Sequence, residues 1–155
     1  MSYFIWNGIS SKNYGILKFP PVPQSATMNF EYTSITGRTP IANKLNTRDT
    51  ISLNFTLQLK DFSKYDSVYA WLNGSDSQGE LIVSNDLGKY YKATCTSVSA
   101  SEMSLRFSSI SVTFTCEPFR YSVDNNPIVI NGSTSIEVGG NYYSEPKIKV
   151  YGNGN

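Results

Sequence analysis

The sequence predicts a mainly β protein carrying one short α-helix and an extended β-hairpin arm, and three observations support this. Eleven Tyr and eight Phe raise the aromatic content to 14%, and together with abundant Ser, Thr and Asn they suit pleated, half-buried surfaces better than helical bundles. A strict apolar alternation runs from Thr50 to Lys60, with Ile51, Leu53, Phe55, Leu57 and Leu59 on one side and Ser52, Asn54, Thr56 and Gln58 on the other. Helical periodicity occurs in a single place, within a chain otherwise divided by Gly, Pro and Asn turn signals. The 155 residues provide one domain, or one domain plus part of a second.

The first alternating run is Met28, Phe30 and Tyr32. Between it and the Thr50–Lys60 strand lies a polar, basic stretch, Thr36 to Arg48, holding Gly37 and Pro40, which is expected to form the long tip of a hairpin arm. A helix is expected from about Lys64 to Leu72, with Phe62, Tyr65, Val68, Tyr69 and Leu72 on one face. Ser63 with Asp66 has capping-box spacing, and Asn73-Gly74 is expected to end the helix in the left-handed region. Trp71 falls off the apolar face, so it either covers a loop or meets another chain as an exposed contact.

Glu80 to Asn85 reads as a short strand, Asn85 to Gly88 as a turn, and Lys89 to Val98 as the next strand. From Met103 to Cys116 the apolar positions change from odd to even, which requires a bulge or bend near Ser108-Ser109. After Glu117-Pro118 come short apolar pieces, Ile128 to Ile130, Ile136 to Val138 and Ile148 to Val150. They read as the opening strands of a second, incomplete module.

Function classes narrow by composition. Thirteen basic and twelve acidic residues give a net charge of +1, without the basic footprint of a nucleic-acid binder. Lys89-Tyr90-Tyr91-Lys92 has the composition of a stacking platform, but it is also what an alternating strand looks like. Histidine is absent, which removes the usual general base and the commonest imidazole metal ligand. No catalytic constellation, cofactor motif or zinc set is visible, and Gly139-Gly140 precedes no helix. Cys95 and Cys116 are expected to be buried and free; a hairpin pivoting at Ala100 to Glu102 would place Cys95 opposite the region of Arg106. No apolar run reaches membrane-spanning length, and the start of the chain lacks the pattern of a signal peptide, so folding in a reducing cytosol is expected.

Several segments, in order, resemble siphophage distal tail proteins. The opening from Phe4 to Ile16, with Asn7-Gly8-Ile9 and Gly15-Ile16, looks like the start of that family. Ala70-Trp-Leu-Asn-Gly74 with Gly79-Glu-Leu81 is similar to its helix end and following strand, and Asp86 through Ala93 to its next hairpin. Val112 to Phe119 looks like the strand closing its N-terminal domain. The resemblance implies a β-sandwich-like ring-forming domain over residues 1–120, followed at 121–155 by a linker and the first strands of a galectin-like module.

It further implies a hexameric ring of the chain with itself, at the virion tail tip, assembled in the bacterial host cytoplasm. The ring would join the tail tube protein to the tail-associated hub protein and carry receptor-binding parts. Enzymatic activity, cofactors, specific nucleic-acid binding and membrane insertion are not implied. Gly37, Arg38, Lys44 and Arg48 would lie on the interface arm, the alternative being a solvated loop. Two rivals remain: a carbohydrate-binding β-sandwich, suggested by Tyr142-Tyr143, and a wall-degrading enzyme, disfavoured by the missing catalytic set.

Overall fold

A computed structural model describes residues 2–19, 22, 24–34, 36–74, 78–103, 108–124, 126–133, 135–137, 139–140 and 147–151; within these, the side chains of Asn46, Phe62 and residues 101–103 are not described. The chain divides into two units, Met1–Asn125 and Asn126–Asn155. The first contains β1 (Phe4–Trp6), β2 (Ile9–Ser10), β3 (Gly15–Leu17), β4 (Met28–Thr33), β5 (Ile41–Arg48), β6 (Ile51–Leu59), α1 (Tyr65–Asn73), β7 (Gly79–Val83), β8 (Asp86–Met103) and β9 (Ser108–Ser122). Among the described residues, seven strands form one antiparallel sheet in the order β2-β1-β7-β8-β9-β6-β3, while β4 and β5 pair only with each other.

The two outer strands of the large sheet, β2 and β3, are joined by one 3₁₀ turn, Ser11–Asn13. Ser10 and Gly15 are five peptide steps apart, so their Cα atoms are separated by at most about 19 Å. The sheet must therefore curl until its two edges adjoin, and it folds over its own core in a sandwich-like way. Ser11 fastens this seam: its buried hydroxyl accepts the Phe4 N–H at 3.1 Å. From the other edge, Lys60 donates its backbone N–H to the Tyr14 carbonyl at 3.0 Å and its ammonium to the Lys12 carbonyl at 2.9 Å.

The alternation in β6 is realised in full. Ile51, Leu53, Phe55, Leu57 and Leu59 are buried, as are Ile110, Val112, Phe114 and Cys116 of β9, which lie in register with β6 from Ile51↔Cys116 to Leu59↔Ser108. Phe114 is the hub of an aromatic cluster, with ring centroids 5.6 Å from Phe4, 4.9 Å from Trp6 and 5.7 Å from Phe55. Each fully buried aromatic contributes on the order of 1.5–3 kcal/mol. Val68 and Leu72 of α1 are buried in the same core. The Trp6 indole N–H is buried there without a hydrogen-bond partner among the described residues.

Several boundaries differ from the sequence expectations. The helix begins at Tyr65 without a side-chain cap; instead Asp61 holds the preceding 3₁₀ turn, accepting from the Ser63 N–H at 2.9 Å and the Ser63 hydroxyl at 2.7 Å. Gly74 has φ −72°, right-handed rather than left-handed, and what it supplies is space, since an added Cβ would lie 2.5 Å from the Ala70 carbonyl oxygen. Tyr69 is exposed and stacks on Tyr65. The turn between β7 and β8 falls earlier than Asn85 to Gly88, because Val83 already faces Asp86.

The long β8–β9 hairpin turns between Met103 and Ser108, not at Ala100 to Glu102, so Cys95 faces Phe114 and Cys116 faces Ala93. The odd-to-even change is thus the passage between two strands rather than a bend in one, and Leu105 and Phe107 lie outside the described residues. Strand β9 also runs past Pro118 to Ser122; the register slips between Tyr91 and Ala93 opposite this proline, the kind of site where a missing N–H is tolerated. In the second unit the described residues contain no strand, including Ile128 to Ile130, Ile136-Glu137 and Ile148 to Val150. A strand is defined by its ladder, and no neighbour among these residues offers one.

Candidate assembly surface

The arm is built differently from the expected hairpin. The segment read as its polar tip contains a strand of its own: β5 returns along β4 with Thr33↔Ile41, Tyr32↔Ala42, Glu31↔Asn43 and Phe30↔Lys44, then a bulge before Met28↔Arg48. The tip lies beyond the Thr33–Ile41 pair, and there Gly37 takes φ +79°, a conformation glycine adopts without strain. At the base, the Asp49 N–H donates to the Thr27 carbonyl at 3.1 Å, and Asn29 donates to the Asp49 carboxylate at 3.1 Å. The arm therefore leaves the body through two adjacent strands and can be treated as an insertion between β3 and β6.

Four of its apolar side chains are exposed. Phe30 is 47% exposed, Tyr32 70%, Ile41 53% and Leu45 39%. A two-stranded hairpin is marginal in water by itself, and its alternating pattern is the one that the body buries. The residues expected at an interface are distributed along it: Gly37 and Arg38 at the exposed tip, Lys44 on β5 beside Phe30, and Arg48 at the base opposite Met28. Sequence reasoning missed Phe30, Tyr32, Ile41 and Leu45 as surface residues, because alternation reports a two-faced strand without saying what covers either face.

The structure places Trp71 within its own chain. The indole lies 5.7 Å from Phe4 and 4.9 Å from Tyr14, nearly parallel to both, and donates to the Trp6 carbonyl at 3.4 Å. Trp71 thus packs over the seam and is partly buried there. The Lys89-Tyr90-Tyr91-Lys92 tetrad splits across the sheet: Tyr91 is buried, while Tyr90 stacks on Tyr121 at 5.5 Å and Lys92 lies over the Tyr121 ring. Alternation thus separates the two tyrosines that a stacking platform would need on one side. Tyr142-Tyr143 lie outside the described residues.

Glu117 accepts from the Tyr121 hydroxyl and the Gln78 amide, both at 2.7 Å; the Tyr121 bond above all holds its carboxyl below the usual range, and Tyr121 itself is pushed up to about 12, first by burial and then by Glu117. Burial raises the free thiol of Cys95 to about 11 and that of Cys116 to about 12, so neither is a poised nucleophile. A shallow depression lined by Val22, Leu53, Val83 and Tyr91 is rimmed by the Arg120–Asp86 ion pair, 2.9 Å apart. Among the described residues no group of His, Cys, Asp and Glu could hold a metal, and no helix is long and apolar enough to cross a membrane.

Comparison with known proteins follows the same lines. A family model described as a phage tail protein RIFT-related domain matches residues 8–116. Among solved structures, the Dit (gp 19.1) protein of phage SPP1, described as a paradigm of the hub adsorption apparatus in phages infecting Gram-positive bacteria, superposes with a TM-score of 0.63 at 11% identity. The match covers 79% of this chain and 52% of that one, so this chain spans about half the length of that relative. No curated protein matches. The resemblance to distal tail proteins read from the residues is upheld by the family model and the shared fold: the chain belongs to the phage tail protein family with the RIFT-related domain and is a structural component of a phage tail.

Proposed function

We propose that the chain is a tail-tip ring subunit, six copies of which close a ring joining the tail tube protein to the tail-associated hub protein and offering a platform to receptor-binding parts. In this reading it is a non-enzymatic building block of the virion tail tip, assembled in the host cytoplasm. The observation that carries the proposal is the arm, a hairpin with exposed apolar side chains whose two strands have no third among the described residues. A head-to-tail interface that closes needs a surface projecting from one subunit and a receiving surface on the next, and an arm extends the contact area beyond what a curled sheet alone presents. Arg38 and Lys44 fit the polar rim of such a contact.

The arm can be removed cleanly because Thr27 and Asp49 are hydrogen-bonded at its base. Replacing residues 28–48 by Gly-Ser-Gly should abolish six-fold rings in negative-stain images and six-subunit masses in native mass spectrometry, while the β circular-dichroism signal of the body persists. Rings that survive this replacement would show that the arm does not build them.

A further inference from the structure

We infer that the free edge of β8, centred on Ser97–Ala100, receives strand β4 of a second copy's arm as an added strand; this rests on the ring reading above. Most edges of the large sheet are unfit for pairing. The outermost strands β2 and β3 have only two and three residues and adjoin across the seam. Strand β9 beyond Cys116, where β6 no longer pairs with it, carries Glu117, Pro118 and Arg120. The β6 edge over Ile51–Phe55 begins two residues after the arm's own base at Asp49.

Strand β8 differs. β7 accompanies it only as far as Ala93, and from Thr94 to Met103 the described strands pair with it on the β9 side alone. This edge reads Thr-Cys-Thr-Ser-Val-Ser-Ala-Ser from Thr94 to Ser101, with no charge and no proline. Natural proteins usually protect an exposed edge with such residues. Bulges between Cys95 and Ser97 and between Ala100 and Glu102 leave a regular stretch, Ser97–Ala100, in the middle.

The arm supplies a fitting occupant. Beyond its own bulge its regular ladder is also four residues long, Phe30–Thr33 against Ile41–Lys44. Its two edges are unequal: β5 carries Lys44 and Arg48, whereas β4 carries Phe30, Tyr32 and Thr33, which favour strands, and a single charge at Glu31. Docking β4 would give the hairpin the third strand it lacks and cover backbone groups on both partners in the manner of strand addition.

Hydrogen exchange on the full chain, read by mass spectrometry under dilute and ring-forming conditions, tests this. Amides of residues 29–33 and 97–100 should exchange at least tenfold more slowly in rings. Copies bearing Ser99→Cys mixed with copies bearing Tyr32→Cys should give a disulfide-linked dimer on a non-reducing gel, and Asp66→Cys in place of Ser99→Cys should not. Rings that form without protection of residues 97–100 and without the dimer would overturn the edge assignment while leaving the ring intact. A chain that forms no ring and gains no protection overturns both.

Discussion

The body and the arm carry the same sequence signal and meet opposite fates. In β6 every second residue is apolar and buried; in the arm Phe30 and Tyr32 follow the same period and stand largely in solvent. The body strand has β9 along its full length, β3 at one end and an aromatic cluster beneath it. Among the described residues the two arm strands pair only with each other, and Phe30, Tyr32, Ile41 and Leu45 stay exposed. Period-two alternation therefore encodes a surface that can be covered, while the number of strands within reach decides whether its own chain covers it.

Phe114→Ala should sharpen the contrast most. The ring touches Phe4, Trp6 and Phe55 in a fully buried site, so its removal should cost about 3–5 kcal/mol, read as a lower denaturant midpoint with an unchanged slope. A loss below about 1 kcal/mol would mean that the body is packed no better than the arm.

A smaller effect is expected at Glu117, on the outer side of the body. Its folded carboxyl is held below the usual carboxylate range chiefly by the Tyr121 hydroxyl. A depressed folded pKa contributes stability above the unfolded value, and that contribution is lost as the pH falls through the folded one. Tyr121→Phe should move the Glu117 titration, followed by carboxyl NMR shifts, upward toward the unfolded value. An unmoved midpoint would show that the hydroxyl does not set it.

The smallest effect on the isolated chain should come from the arm. Phe30→Ser with Tyr32→Ser should change its unfolding free energy by no more than about 0.5 kcal/mol, since exposed side chains away from a core usually matter little. The same pair should remove six-subunit species from native mass spectra. Substantial destabilisation of the monomer would mean that the arm is folded against its own body.

Legibility followed the distance over which each cue acts. The Ile51–Leu59 strand and the helix at Tyr65–Asn73 were visible because their periodicity is local and long enough to count. Strand β5 was not, since Ile-Ala-Asn-Lys-Leu-Asn-Thr-Arg lacks clean alternation and is a strand only because β4 pairs with it. The turn between β8 and β9 was misplaced because Ser99-Ala-Ser-Glu102 reads as a polar break, whereas pairing with β9 carries β8 on to Met103. The strands Phe4–Trp6 and Gly15–Leu17 are too short for any period; family likeness marked that stretch, and only the structure showed it closing both edges. For the assembly surface, Gly37, Arg38, Lys44 and Arg48 were legible as a polar segment, but the exposed aromatics beside them were not. Exposure depends on what the rest of the chain leaves uncovered.

The seam at Ser11 has a consequence for how the protein is made. Phe4 pairs with Val83 and Gly15 with Leu59, so the segment Phe4–Leu17 waits for partners synthesised long after it. Contacts so distant along the chain form slowly, and until they do the segment Phe4–Leu17 has no sheet to join. The enclosure is zipped shut by the segment that waits longest for its partners.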